Sequence, residues 1–211
     1  MNSGERDKKM FTGLIEELGT IQKIENIGDG RKFTVSADLV FSDLKVDDSV
    51  STNGCCLTVT SIAGNTYCCI AIEETLSKTT LGSFFEGQKI NLERSVLPST
   101  RMGGHFVQGH VDCVGLIVES ETLSTSWTFT IEFPKEFEKY IIKIGSISVD
   151  GTSLTVADLD KNRFKVAIIP HTMEKTIFPS YKVGTKVNLE FDLLGKYIEK
   201  IFGKTLNQAL I

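Results

Sequence analysis

Two heptapeptides decide how this chain is read: "NGCCLTV", Asn53–Val59, and "DGTSLTV", Asp150–Val156, which lie 97 positions apart. Each opens with an Asn-Gly or Asp-Gly pair that bends the backbone and runs on into residues that favour a strand. The likeness spreads outward from them. At the same offset "TLSKTTLGSFFEGQKINLE" (Thr75–Glu93) lies over "TMEKTIFPSYKVGTKVNLE" (Thr172–Glu190), with nine of nineteen positions identical. At an offset of 96, "FTGLIEELGTI" (Phe11–Ile21) lies over "VQGHVDCVGLI" (Val107–Ile117), keeping both glycines and the final isoleucine. The chain is therefore a tandem duplication with its seam between Glu93 and Val107, and the change of offset marks one loop difference.

Each half reads as strands. "KFTVSA", "SVSTNGCCLTVTSI", "NTYCCIAI" and "KINLER" are short β-branched runs bounded by Gly, Asn and Asp. "TFTIEF", "SISVDGTSLTVADL", "RFKVAII" and "KVNLEF" repeat the pattern. About six such strands per half predict an all-β fold built from two small antiparallel barrels or sandwiches. "ETLSKTT" and "HTMEKTI" occupy matching places and read as a helical turn or two. "GKYIEKIFGKTLNQALI" has no counterpart in the first half, and its Ile198, Ile201, Phe202, Leu206 and Leu210 fall on one helical face. That face needs a cover, either the chain's own barrels or another subunit. The expected domains are a disordered lead-in over residues 1–9, barrels over 10–98 and 99–194, and a helix over 195–211.

With 27 acidic against 23 basic side chains the net charge is −4, which offers no attraction to nucleic acid or anionic lipid. No apolar run approaches the roughly 18 residues of a membrane span. Cys55-Cys56, Cys68-Cys69 and the lone Cys113 lack the spacing of a zinc site, and a strand would turn the two members of each pair to opposite faces. The odd count and the want of a secretory signal point to reduced thiols and the cytoplasm.

Candidate chemistry gathers where the halves differ. The Asn-Gly and Asp-Gly pairs suit either a pocket rim, offering peptide groups to a heterocycle, or a plain hairpin turn. "MGGHFVQGH" carries His105 and His110, residue types suited to proton transfer near neutral pH, although a polar linker would also hold them. His110 stands where the first half has Leu14, and His171 where it has Glu74. Cys55 and Cys56 become Thr152 and Ser153. Two similar pockets that bind one ligand in unequal roles would diverge in this way, and so would small residues filling equivalent core positions.

"MFTGLIEELG", "NGCCLTV", "ETLSKTTLG", "NLERSVLPSTRMGGHFVQGHVD" and "DGTSLTV", in this order, resemble the riboflavin synthase family from Met10 to about Ile201. The stretch "STRMGGHFVQGHVD" looks like its fungal branch. The resemblance implies two six-stranded Greek-key barrels and a homotrimer joined by the C-terminal helix, with a productive site between barrels of neighbouring subunits. It also implies a cofactor-free and metal-free dismutation. Two molecules of 6,7-dimethyl-8-ribityllumazine would exchange a four-carbon unit, giving riboflavin and 5-amino-6-(ribitylamino)uracil. Carried over by motif, the N-terminal cup would use Gly13, Leu14, Ile15, Ser49, Cys56, Leu57, Thr58, Ile70, Ala71, Ile72, Glu73, Glu74 and Thr75. The C-terminal cup would use Gly109, His110, Val111, Ile144, Asp150, Ser153, Leu154, Thr155, Ile169, Pro170, His171, Thr172, Met173 and Glu174. Phe11, Cys56, His110, Asp150, Ser153 and Asp192 fall where activity-sensitive residues lie. In the "KG-x-I-x-x-DG" pattern, Ile144 takes the usual lysine's place, with Lys143 one position earlier. A catalytically silent relative that only binds a lumazine or flavin, as an antenna, is the alternative reading.

Overall fold

Twelve strands form two closed antiparallel barrels. The computed structural model describes residues 10–209, with side chains to residue 202. The lead-in expected over residues 1–9 and Leu210 lie outside the described residues, as does the side chain of Leu206. Barrel one comprises β1 (Glu17–Ile27), β2 (Gly30–Ser36), β3 (Ser49–Thr52), β4 (Cys55–Ala63), β5 (Thr66–Ala71) and β6 (Lys89–Arg94), paired in the order β1-β2-β5-β4-β3-β6 and closed by β6 on β1. Barrel two repeats this with β7 (Cys113–Thr122), β8 (Trp127–Glu132), β9 (Ser146–Val149), β10 (Thr152–Asp160), β11 (Arg163–Ile168) and β12 (Lys186–Phe191). In each, the connection after the second strand crosses the barrel before a meander returns, which is a Greek key.

Period-two burial builds the cores. On β5, Tyr67, Cys69 and Ala71 point inward; on β11, Phe164, Val166 and Ile168 do the same. Each cysteine pair is split as a strand requires, with Cys55 and Cys69 buried and Cys56 and Cys68 partly exposed. The bends that close the barrels are duplicated too. A bulge between Ile21 and Lys23 recurs between Ile117 and Glu119, and one between Val59 and Ser61 recurs between Val156 and Asp158. The short helices α1 (Glu73–Lys78) and α2 (Pro170–Lys175) fall on the two segments read as helical turns.

The Asn-Gly and Asp-Gly pairs are hairpin turns, and they meet at the seam between barrels. Asn53, Gly54, Asp150 and Gly151 all have positive φ, and a Cβ on Gly54 would lie 2.6 Å from the backbone N of Gly151. Asn91 reaches across: its Nδ2 donates to the Asp150 carbonyl (2.9 Å) and its Oδ1 accepts from Ile177 N (2.9 Å). Asn188 does the mirror task, donating to the Asn53 carbonyl (2.8 Å) and accepting from Thr80 N (2.7 Å). The turn carbonyls are thus engaged by the opposite barrel, and the N–H groups of Asn53 and Asp150 by their own, donating to the Asn91 (3.0 Å) and Asn188 (2.9 Å) carbonyls.

Helix α3 (Leu193–Ala209) leaves β12 and lies by the 3-10 turn Lys135–Tyr140, tied by Lys139 to Glu199 at 2.8 Å. Ile198, Ile201 and Phe202 remain more than half exposed. Among the described residues, the chain's own barrels leave that face largely exposed. No helix among the described residues is long and apolar enough to cross a membrane.

Candidate functional site

The segments ahead of β1 and β7, residues 10–16 and 106–112, are straps that cross between barrels. They pair with each other where Phe11 and Val107 exchange two backbone hydrogen bonds. The first strap then accepts, at the Gly13 carbonyl, the backbone N–H of Ser153 on β10 (2.8 Å). The second accepts, at the Gly109 carbonyl, the N–H of Cys56 on β4 (2.8 Å). Both glycines sit at positive φ, and a side chain on either would stand 2.6 Å from the Cβ of its partner. Only glycine permits this approach.

This crossing corrects the assignment of straps to cups. Of Gly13, Leu14 and Ile15, all expected at barrel one, the strap delivers Gly13 to Ser153 of barrel two, while Leu14 lines a hollow with Ser49 and Glu93 of barrel one. Gly109, His110 and Val111 were expected at barrel two, but they line a recess of about 260 Å³ with Cys55, Cys56, Glu74 and Thr75 of barrel one. Sequence likeness identifies equivalent segments, not the barrel each one contacts.

Buried carboxylates hold both straps. Glu93 accepts from Thr12 N and Oγ1, each at 2.7 Å, and from Gly13 N at 3.0 Å. Glu190 accepts from Gln108 N at 2.7 Å and His110 N at 3.0 Å. Burial pushes each carboxyl up to about 7, against the pull of these donors. Neither residue was singled out from the sequence, although each closes the duplicated "NLE" and is the last of the nineteen aligned positions.

At barrel two, Ser153 Oγ lies 2.7 Å from His105 Nδ1, so His105 is a partner of Ser153 rather than a linker residue. The other ring nitrogen, Nε2, is buried and finds no hydrogen-bond partner among the described residues. Burial lowers the imidazole's pKa, opposed by the charge of Asp192.

The remaining candidates scatter. Ile70, Ile72, Glu73 and Thr58 lie exposed on barrel one, whereas Leu57 and Ala71 face its interior. Ile169, Pro170, His171, Glu174 and Thr155 are exposed on barrel two, with Thr172, Met173 and Leu154 half-buried. Ser49 is buried and borders a separate hollow of about 290 Å³ shared with Arg94 and Glu16. Phe11 is buried in the strap pairing, and Asp192 accepts from Leu194 N (2.9 Å) at the start of α3. Asp150 is buried in the seam, accepting from Asn188 N (2.7 Å) and the Tyr181 hydroxyl, out of a ligand's direct reach. Ile144 is 78% exposed in a turn at φ 65°, a conformation costly for a β-branched residue.

Two barrels with exchanged straps and matching rims define a tandem-duplicated, small-molecule-binding β-barrel protein. The lumazine binding domain family matches this chain twice, over residues 12–95 and 108–192. Riboflavin synthase of Photobacterium phosphoreum is 44% identical over 193 residues, 91% of this chain and 88% of that protein. The Schizosaccharomyces pombe riboflavin synthase is 42% identical over 194 residues, covering 91% and 93%. The chain belongs to the riboflavin synthase family. A crystal structure of LumP complexed with 6,7-dimethyl-8-(1'-D-ribityl) lumazine shares the fold, with a TM-score of 0.78 at 21% identity, over 86% of this chain and 98% of that one.

Proposed function

We propose that the chain catalyses the dismutation of two 6,7-dimethyl-8-ribityllumazine molecules into riboflavin and 5-amino-6-(ribitylamino)uracil. The observation that carries this reading is the pair of similar but chemically unequal rims. One sets His110 beside Cys56, and the other sets His105 on Ser153. A reaction between two identical molecules needs a donor and an acceptor, and unequal side chains on one frame supply that distinction.

The C7 methyl of the lumazine is acidic because its anion delocalises into the ring system. His110, exposed at the mouth of the recess, takes that proton and creates the carbon nucleophile. The second molecule is activated at C7 by water, Cys56 or Ser153. His105 orients the Ser153 hydroxyl and, kept neutral by burial, can accept its proton. Holding two planar rings together supplies much of the acceleration, of order 7 to 11 kcal/mol for two fixed reactants.

The exposed apolar side chains of α3 support a homotrimer in which barrel one of a subunit meets barrel two of its neighbour, and five cysteines outside disulfides suit the cytoplasm. Incubation with the dimethyl ribityllumazine tests the reaction: green flavin fluorescence growing with turnover supports it, and tight binding without turnover leaves an antenna protein. Co-refolding Cys56→Ala with Ser153→Ala tests the shared site, because mixed trimers contain interfaces with both walls intact. Activity fixed at the mean of the parents, despite proven exchange, rules that site out.

A further inference from the structure

The two buried glutamates differ in what they grip. Glu93 holds its strap at Thr12 and Gly13, stopping one residue short of Leu14. Glu190 holds the backbone N–H of His110 itself, with the opposite oxygen on Gln108. We propose that Glu190 is a positioning residue of the first cup: a carboxylate of barrel two fixes the imidazole of His110 beside Cys56 of barrel one. This rests on the functional reading above.

Other anchors flank His110 without holding it: beyond it, Asp112 N donates to the Leu189 carbonyl (2.8 Å) and Asp112 Oδ2 accepts from Phe191 N (2.8 Å). Gly109 contributes its carbonyl to Cys56 N, which sets the strap's height on the rim. The Glu190 contacts set its rotation, because the N–H groups of Gln108, Gly109 and His110 converge on one carboxylate. That carboxylate is itself flanked by Lys196 of α3, Asp112 and the Cys55 thiol. Lys196 binds Asp112 at 2.6 Å, so α3 is tied to the same strap two residues beyond His110. Glu190→Gln keeps the shape but turns one acceptor into an N–H₂ that must face an N–H. The strap would rotate away while the barrel walls stay in place.

The test is a double-mutant cycle on turnover of the full chain. Glu190→Gln should lower kcat by about tenfold or more with KM within about threefold, because ring placement matters most in the transition state. In a His110→Gln background the same change should cost less than about twofold, since the residue it positions is gone. Multiplicative losses would show that Glu190 serves the fold alone and would overturn the proposal. Should Glu190→Gln not fold, the cycle is run with Glu190→Asp, whose carboxylate is one methylene short of the strap. Amide hydrogen exchange on the unaltered chain checks the clamp independently of turnover. Gln108 and His110 N–H should be protected like strand amides, and rapid exchange at both would refute the grip. Absence of turnover in the unaltered chain with both amides protected would indict the functional reading instead.

Discussion

At the seam, one position is filled twice with different chemistry. Asn53 in barrel one and Asp150 in barrel two both sit at positive φ and both accept, through Oδ1, a backbone N–H at 2.7 Å, from Asn91 and Asn188 respectively. The aromatic neighbours differ in step: Phe84 occupies the place of Tyr181, whose hydroxyl donates to Asp150. The backbone conformation is held constant between the halves, while the side chain that it carries is free to change its charge. The strap repeats this lesson with Leu14 and His110, and the rim with Cys56 and Ser153.

Four comparisons probe how far the likeness goes. The largest effect is expected at the seam glycines. Gly54→Ala and Gly151→Ala should each cost about 3 kcal/mol or more, since a Cβ there meets the opposite backbone at positive φ. Urea denaturation giving a loss for only one would break the twofold equivalence. Next, His110→Leu makes the second strap copy the first and should lower kcat about a hundredfold, the range of a lost general base. Flavin formation near the original rate would strip the asymmetry of its catalytic meaning.

A third comparison lies on the barrel flanks. Arg94 pairs with Glu16 and Asp43, whereas its counterpart Phe191 stacks on Phe137 with centroids 5.3 Å apart. Phe191→Ala should cost about 3 to 4 kcal/mol and Arg94→Ala about 1, a gap that calorimetry can read. Equal costs would mean the two flanks are built alike after all. The last comparison concerns pH. Burial raises the Asp150 carboxyl to about 7 from its ordinary 3.8, so the native state holds a proton that the unfolded chain releases. Its stabilising contribution is complete below pH 3.8 and is lost as pH rises through about 7. Asp150→Asn, copying Asn53, should remove a slope on the order of 1 kcal/mol per pH unit across that window. An unchanged pH profile of Tm would argue that the carboxyl titrates normally.

Much of this was legible in the chain itself. The repeated heptapeptide fixed the duplication, β-branched runs marked the strands, and the lone amphipathic segment announced α3. Cys56 and His110 were found as departures between copies, and the recess brings them together. What stayed hidden was the crossing of the straps, because a repeat says which residues are alike and not which barrel they touch. His105 stays open between proton transfer and linker in the sequence, because its Ser153 partner is 48 positions away. The roles of Glu93 and Glu190 are hidden because the strap residues that they hold lie 81 and 82 positions away. The Asp-Gly motif leaves Asp150 open between rim and hairpin turn, because a turn motif does not reveal that another turn lies against it.

The strap exchange has a consequence for how such a molecule can change. Two identical chains exchanging straps about a twofold axis would make an isologous dimer, and every mutation in it would appear twice. Joining the two copies into one polypeptide keeps that architecture while abolishing the obligation to be symmetric. A proton-transfer group can then be installed on one arm alone, as at His110, leaving Leu14 untouched on the other. The covalent link between Arg94 and Val107 thus has a role beyond tethering: it turns a symmetric pair into a molecule with a left and a right.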